Sequence, residues 1–286
     1  MHELLQLVGA ISLNSGISAA IRAIHLLRGG LQLRHRMMKR MAILGLVAVV
    51  LLGQVTAAAE ITVLSAGAVE PGLRPASVAF EKRTGHAVKI SFAPAPQIRA
   101  RITAGEVWDV VIAPPAVLDE FAKAGKIEME RVTLGRVGMG VAVRAGTPPP
   151  DISNVEAFKR SVLAAESVVF TRGSSGVYFE ALLKKMGLYE QVEGRITRYD
   201  DGESAIEHVL KSKGKEVSFG QLTELRLYLD KGLRLVGPLP AEVQNYTSYA
   251  GVPMTARVNA DVARAFVRYL GSSDGQAVFA AAGIER

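Results

Sequence analysis

This sequence of 286 residues contains no cysteine and a single tryptophan. Without cysteine there can be no disulfide framework, no thiol nucleophile and no lipid attached to a cysteine after an apolar leader. Beyond residue 59 only two histidines occur, His86 and His208, and neither stands in a metal-binding or catalytic pattern. No HExxH, Walker A, G-x-S-x-G or G-x-G-x-x-G motif is present. These absences argue against an enzyme, and we predict no catalytic residue, no metal site and no cofactor.

Acidic residues are also scarce in one part of the chain, the first 59 residues. This leader carries six arginines and lysines against one acid, Glu3, which leaves 28 basic and 26 acidic residues in the remainder. The formal charge of +7 for the whole sequence therefore falls to +2 once the leader is removed. No basic stripe is left, so we expect no nucleic-acid partner.

The leader contains a targeting signal. Met38, Lys39 and Arg40 form a charged segment, residues 41–53 are apolar, and residues 56–59 read Thr-Ala-Ala-Ala, which suits signal-peptide cleavage. The alternative is a membrane anchor, but 13 apolar residues fall short of the roughly 20 that span a bilayer. We predict that residues 1–59 form a leader with a signal peptide over about 38–59, and that the mature protein starts at Glu60 in the periplasm.

Three segments of the mature chain repeat one order of elements. An apolar strand is predicted at residues 61–64, 88–92 and 167–171, a turn of small residues follows at 65–68, 93–96 and 173–176, and a helix comes next. Small side chains let a ligand approach the backbone, and the first N–H groups of each helix are unpaired at the positive end of its dipole. Three such turns predict one convergent pocket for an anion.

The same alternation predicts the fold class. Strands that alternate with helices favour an α/β protein, and we expect two domains, each a mainly parallel sheet flanked by helices. The proline-rich stretch 147–151 marks an exit from the first domain, and the extended run 237–254 marks a return to it. We predict a first domain of residues 60–143 and 241–286, a second of residues 144–240, and a ligand between them that drives cleft closure.

These segments carry a family resemblance. The run from Leu64 to Ile127, together with VGMGVAVRAGTPPPDIS, GSSGVYFEALLKKMGL and GPLPAEVQNYTSYA, resembles the periplasmic molybdate-binding proteins of ABC transporters, in particular a divergent molybdate-binding-like branch. The likeness covers nearly all of residues 60–286. It implies a type II periplasmic binding protein fold, an oxyanion such as molybdate or tungstate held by hydrogen bonds between the domains, and delivery to an ABC permease in the inner membrane. A monomer suits a protein that docks on a permease.

The turns and the resemblance together predict eleven positions at the ligand: Ser65, Ala66, Gly67, Ala68, Ala95, Gln97, Ser174, Ser175, Gly176, Tyr178 and Gln221.

The chain departs from the family pattern at several donors. The family's first serine corresponds to Ala68, its serine-rich second turn corresponds to Ala-Pro-Ala-Pro at 93–96, and its tyrosine falls at about Gln221. Each hydrogen bond left unmade to a buried charged ligand costs about 1.5 to 3 kcal/mol. The departures predict either compensation by other donors or a pocket remade for another anion.

Two further functions stay open. The same fold can serve a different small anion, such as an organic carboxylate, for uptake or sensing, with Arg74, Arg99 or Arg101 supplying charge. An exported enzyme on this scaffold is the other, and turnover of a bound compound is the observation that separates it from a binding protein.

Overall fold

The computed structural model describes residues 58–286. The predicted leader and signal peptide lie outside the described residues, apart from positions 58 and 59. Within the described part of the chain, no helix combines the length and the apolar composition needed to cross a bilayer.

Nine strands form the sheet of the described chain. They are β1 (Glu60–Ser65), β2 (Ala87–Phe92), β3 (Val110–Ala113), β4 (Val132–Arg144), β5 (Ser167–Thr171), β6 (Ile196–Tyr199), β7 (Glu216–Gln221), β8 (Leu233–Pro238) and β9 (Tyr246–Pro253).

Ten α-helices connect or follow these strands in residues 58–286. They are α1 (Glu70–Thr84), α2 (Ala95–Thr103), α3 (Pro115–Lys123), α4 (Val155–Ala164), α5 (Ser174–Lys185), α6 (Tyr189–Val192), α7 (Gly202–Lys211), α8 (Leu222–Arg226), α9 (Ala260–Gly271) and α10 (Ser273–Ala281). A short 3₁₀ turn, Gly67–Val69, precedes α1.

Local sequence explains the bounds of these elements. The strand β3, Val-Val-Ile-Ala, is buried at all four positions, as expected of a strand covered on both faces. The helix α1 ends at Gly85, whose φ of 75° lies in the left-handed region that glycine adopts without strain. At the start of α7 the side chain of Asp201 accepts a hydrogen bond from the N–H of Ser204 and so satisfies one free donor of the helix.

The strand order in the sheet is β2-β1-β3-β9-β4-β7-β5-β6, and β8 also pairs with β4. Neighbours are parallel within β2-β1-β3 and within β6-β5-β7, whereas β4 and β9 run antiparallel to their partners. The long strand β4 pairs with β9 over residues 132–138 and with β7 and β8 over residues 139–144. One strand therefore runs from one half of the sheet into the other.

The apolar core is divided in the same way. One cluster packs around β1, β3 and β9, with Phe80 against Phe266 at 5.1 Å between ring centroids. A second packs around β5 and β7, with Phe179 stacked on Phe219 at 4.1 Å. Met139 already packs in this second cluster, so the change of core lies within β4. The predicted domain division at residue 143 stays a prediction.

The chain folds as predicted at the three strand–turn–helix segments, with one refinement of the turns. The second and third turns are shorter than predicted, because α2 already begins at Ala95 and α5 at Ser174. The small residues after these strands therefore form the first turns of helices, which places their backbone N–H groups at the helix ends.

Candidate functional site

A cavity of about 380 Å³ lies where several parallel strands end. Its walls come from the residues that follow the carboxyl ends of β1, β2, β3, β5, β6 and β7, with Tyr249 of β9 added. Side chains and backbone at the carboxyl ends of neighbouring strands meet at one edge of a sheet, which is where α/β proteins bind ligands. The cavity is the candidate functional site.

Helix starts surround this cavity. Residues at or beside the first turns of α1, α2, α3, α5 and α7 all line it. The first N–H groups of a helix have no partner within the helix, and the helix dipole adds positive potential there. Pro71, Pro94 and Pro114 have no N–H to contribute, so the 3₁₀ turn before α1 and the starts of α5 and α7 offer most of the backbone donors.

Most of the predicted ligand positions are brought together here. Eight of the eleven predicted positions line the cavity: Ala66, Gly67, Ala68, Ala95, Gln97, Ser174, Ser175 and Gln221. Whether they bind a ligand stays a prediction.

Three predicted positions lie elsewhere. Ser65 is fully buried and its hydroxyl donates to the carbonyl of Ala66 at 3.1 Å. Gly176 packs against the backbone of Thr171, and the hydroxyl of Tyr178 donates to the carbonyl of Val243 at 2.9 Å. These three residues lie outside the cavity wall and take part in packing and in hydrogen bonds to the backbone.

Gln221 has an unusual environment in the cavity wall. Its side chain is 3% exposed, Nε2 donates to the hydroxyl of Thr247 at 3.0 Å, and Oε1 has no hydrogen-bond partner among the described residues. Turning the amide over lets Thr247 donate to Oε1 and presents Nε2 in its place. An unsatisfied buried amide group costs about 1 to 3 kcal/mol, so we expect a ligand or a water molecule to bind it.

Four carboxyl groups also line the cavity: Glu70, Asp201, Glu203 and Glu224. Glu70 accepts a hydrogen bond from Arg74 at 2.6 Å, and Asp201 is held by the backbone N–H and hydroxyl of Ser204 at 2.7 and 2.9 Å. No three carboxylate or histidine side chains in residues 58–286 are grouped closely enough to hold a metal ion.

Burial strongly raises the pKa of three groups in the wall. Burial, together with the charges of Glu70 and Asp201, raises the pKa of Glu224 to about 7. Burial and the four surrounding carboxylates raise the pKa of Tyr228 to about 12, and burial raises the pKa of Tyr249 as well. Both tyrosines stay protonated at neutral pH and are available as hydroxyl donors.

None of the residues that line the cavity in the described chain is an arginine or a lysine. Arg99 forms an ion pair with Glu120 and Arg101 one with Glu106, both on the protein surface. The positive potential in the cavity therefore comes from helix starts and backbone N–H groups. A small anion held by hydrogen bonds is the ligand that this arrangement suits.

Comparison with known proteins places the chain in a family. Residues 61–285 match the family of bacterial extracellular solute-binding proteins. The chain belongs to this family. Among curated proteins, this solute-binding protein is 34% identical over 221 residues to an aconitate isomerase of Pseudomonas, and the alignment covers 75% of this chain and 83% of the relative.

Solved structures agree on the fold. The periplasmic molybdate-binding protein of Azotobacter vinelandii superposes with a TM-score of 0.65 at 17% identity, covering 78% of this chain and 97% of that one. The sulfate-binding protein SubI of Mycobacterium tuberculosis gives 0.64 at 19% identity, covering 79% and 86%. The solute-binding protein thus has the type II periplasmic binding protein fold, as the resemblance implies.

Sequence reasoning missed the functional groups on the far side of the cavity. Glu224, Tyr228 and Tyr249 are absent from the predicted positions, although each lines the cavity of this solute-binding protein. Glu224 carried one available signal, because it closely follows the end of β7 just as the predicted positions follow β1, β2 and β5. Nothing in the local sequence marked the two tyrosines, which reach the site through the packing of α8 and β9.

Proposed function

We propose that this solute-binding protein captures a small organic carboxylate in the cavity at the strand ends. The observation that carries the proposal is the convergence of several helix starts on a cavity that is large for an inorganic oxyanion. A water molecule takes about 30 Å³ in the liquid, so an anion with four oxygen atoms fills roughly 120 to 150 Å³. The cavity of about 380 Å³ has room for a molecule at least twice that size.

The donor set supports the same choice. Ala68 and the prolines at 94 and 96 stand where the molybdate binders are expected to supply hydroxyl or N–H donors. Ser174 and Ser175 with the backbone of α5 remain suited to one carboxylate group, and the hydroxyls of Tyr228 and Tyr249 to another. The name of the Pseudomonas relative, aconitate isomerase, supports an organic acid as well.

Molybdate or tungstate is the second candidate ligand. The fold neighbours include a molybdate-binding and a sulfate-binding protein, and helix starts without basic side chains suit a tetrahedral oxyanion. In that case Gln221, Ser174 and Ser175 replace the missing family donors.

Thermal unfolding of the purified protein with a panel of anions separates the two candidates. Ligand at about 1,000 times its Kd stabilises the native state by about 4 kcal/mol, which raises the Tm of a domain of this size by about 8 to 16 °C. A shift with cis-aconitate, trans-aconitate, itaconate, citrate or malonate, and none with molybdate, tungstate, sulfate or phosphate, supports the carboxylate. A shift with molybdate and tungstate alone overturns it in favour of the second candidate.

We further propose that the protein is exported and delivers its ligand to an ABC permease of the inner membrane. The charged and apolar segments of residues 38–53 and the cleavage site before Glu60 support export. Membership in a family of extracellular solute-binding proteins supports transport. Cell fractionation and N-terminal sequencing test the proposal, since a periplasmic protein should begin at Glu60 and a cytoplasmic one should keep its leader.

A further inference from the structure

The carboxyl group of Glu224 lies between two helix starts of the cavity. A methyl group built on Gly67 would approach its Oε1 to 2.5 Å, and one built on Gly202 would approach its Oε2 to 3.4 Å. The short helix α8 that carries Glu224 is fixed to the first of these turns, because the hydroxyl of Thr223 donates to the carbonyl of Ala68 at 2.6 Å. Because glycine has no side chain, Gly67 and Gly202 leave room for the carboxyl group of Glu224 between them.

Among the described residues Glu224 has no partner, unlike Glu70 and Asp201 beside it. Within residues 58–286 no donor forms a hydrogen bond or ion pair with its oxygens, whereas Glu70 is bonded to Arg74 and Asp201 to Ser204. Burial and the neighbouring charges raise its pKa to about 7, so both protonation states are populated at neutral pH. A carboxyl group in this condition can take up and release a proton at little cost.

We propose that Glu224 transfers a proton to and from a carbon atom of the bound carboxylate, so that the site shifts a carbon–carbon double bond within its ligand. This inference rests on the proposed function, because a carboxylate must first occupy the cavity. The substrate class is an unsaturated polycarboxylate with a CH₂ group next to the double bond.

The reaction is balanced without any further reactant. The carboxylate of Glu224 removes a proton from the CH₂ carbon, and the electron pair of that C–H bond spreads over the three-carbon allylic unit and the attached carboxylate. The protonated Glu224 then returns the proton to the far carbon of the unit. A new C–H bond forms there, the double bond moves by one position, and the ligand is neither oxidised nor reduced.

The surroundings of Glu224 suit this step. Negative charge develops on the oxygens of the ligand's carboxylate while the proton is on Glu224, and preorganised donors that face developing charge are a large source of catalysis. The helix starts at Gly67 and Gly202 lie beside Glu224 itself, and the N-terminal turn of α5 lines the same cavity. In aconitate the central carbon is bonded to a CH₂ on one side and double-bonded to a CH on the other, so one proton shift from the CH₂ to the CH interconverts its geometric isomers.

Proton NMR in D₂O with trans-aconitate, cis-aconitate or itaconate tests the inference on the full protein. We expect the wild type to exchange the CH₂ protons of a bound acid for deuterium and to move its double bond. Glu224→Gln should slow this exchange by about 10²- to 10⁴-fold, the usual contribution of general acid–base catalysis, while the acid still raises the Tm. Glu207→Gln is the matched control, since Glu207 lies on α7 in an exposed pair with Lys211 at 2.6 Å, away from the cavity.

The two proposals fail in different ways. If an unsaturated acid raises the Tm of the wild type but its protons do not exchange, the catalytic inference is wrong and the proposed binding function stands. If Glu224→Gln exchanges as fast as the wild type, another group moves the proton and the inference is likewise overturned. If no carboxylate of the panel raises the Tm, the proposed function itself has failed.

Discussion

Replacing Glu224 by glutamine should stabilise the ligand-free protein more at alkaline pH than at acidic pH. The pKa of this group rises from 4.5 in the unfolded chain to about 7 in the native state. The native state therefore binds more protons than the unfolded state between these two values, and stability falls as the pH rises through this window. Glutamine has the same shape and no charge, so the variant keeps the packing and avoids the loss.

The size of the effect follows from the shift. One pKa unit corresponds to about 1.4 kcal/mol, so ionising Glu224 in the native protein costs about 3 kcal/mol at pH 8 and about 1 kcal/mol at pH 5. These are upper values, because part of the carboxyl group faces the cavity and is screened there. The stability gained by Glu224→Gln should thus be larger at pH 8 by up to about 2 kcal/mol, which is about 4 to 8 °C in Tm.

Thermal unfolding of wild type and variant at the two pH values measures this gain. Because the variant is compared with the wild type at the same pH, the contributions of the other titrating groups to the free energy of unfolding cancel. Glu207→Gln on the exposed face of α7 should change stability by no more than about 0.5 kcal/mol at either pH. An equal difference between Glu224→Gln and wild type at pH 5 and pH 8 would refute the reasoning, because Glu224 would then be no harder to ionise in the native state than in the unfolded chain.

Three further substitutions test the assignment of residues to the site. Ser175→Ala should weaken the anion that stabilises the wild type by about tenfold or more without unfolding the protein, because a hydrogen bond to a charged group contributes about 1.5 to 3 kcal/mol; unchanged affinity by calorimetry would place the anion elsewhere. Tyr178→Phe should lose about 1 kcal/mol of stability with its bond to Val243 and leave affinity unchanged, so a fall in affinity would contradict the structure. Gly176→Ala should destabilise the fold by about 2 to 5 kcal/mol in urea unfolding, since its methyl group would lie 1.7 Å from the carbonyl oxygen of Thr171; a wild-type midpoint would be inconsistent with this packing.

The sequence alone predicted the three strands and turns that supply one side of the cavity, namely those at residues 61–68, 88–96 and 167–176. The runs at 61–64, 88–92 and 167–171 are apolar and followed by small residues, and these are short-range signals that depend on a few neighbours in the chain. Because parallel strands share one edge at their carboxyl ends, the pattern also predicted that the three turns meet. The α/β class followed from the same order of elements, and the type II periplasmic binding protein fold followed from the family resemblance.

Only the tertiary structure determines which residues form the other side of the cavity, where Glu224, Tyr228 and Tyr249 lie. Tyr178 follows a predicted turn by only two positions, yet helical geometry turns its side chain away from the cavity and onto Val243. Glu224 reaches the cavity because Thr223 fixes α8 against the turn after β1, at a sequence separation of 155 residues.

Some chemical properties of the protein depend on its composition alone, and others arise only when the chain folds. Composition and motifs established the absence of cysteine chemistry and of known catalytic patterns, because these depend only on which residues are present. The raised pKa of Glu224 and the absence of arginine and lysine from the cavity wall of the described chain arise only in the fold. A pKa depends on burial and on neighbouring charges, and in this protein Glu70, Asp201 and Glu224 become neighbours only when the two halves of the sheet are assembled.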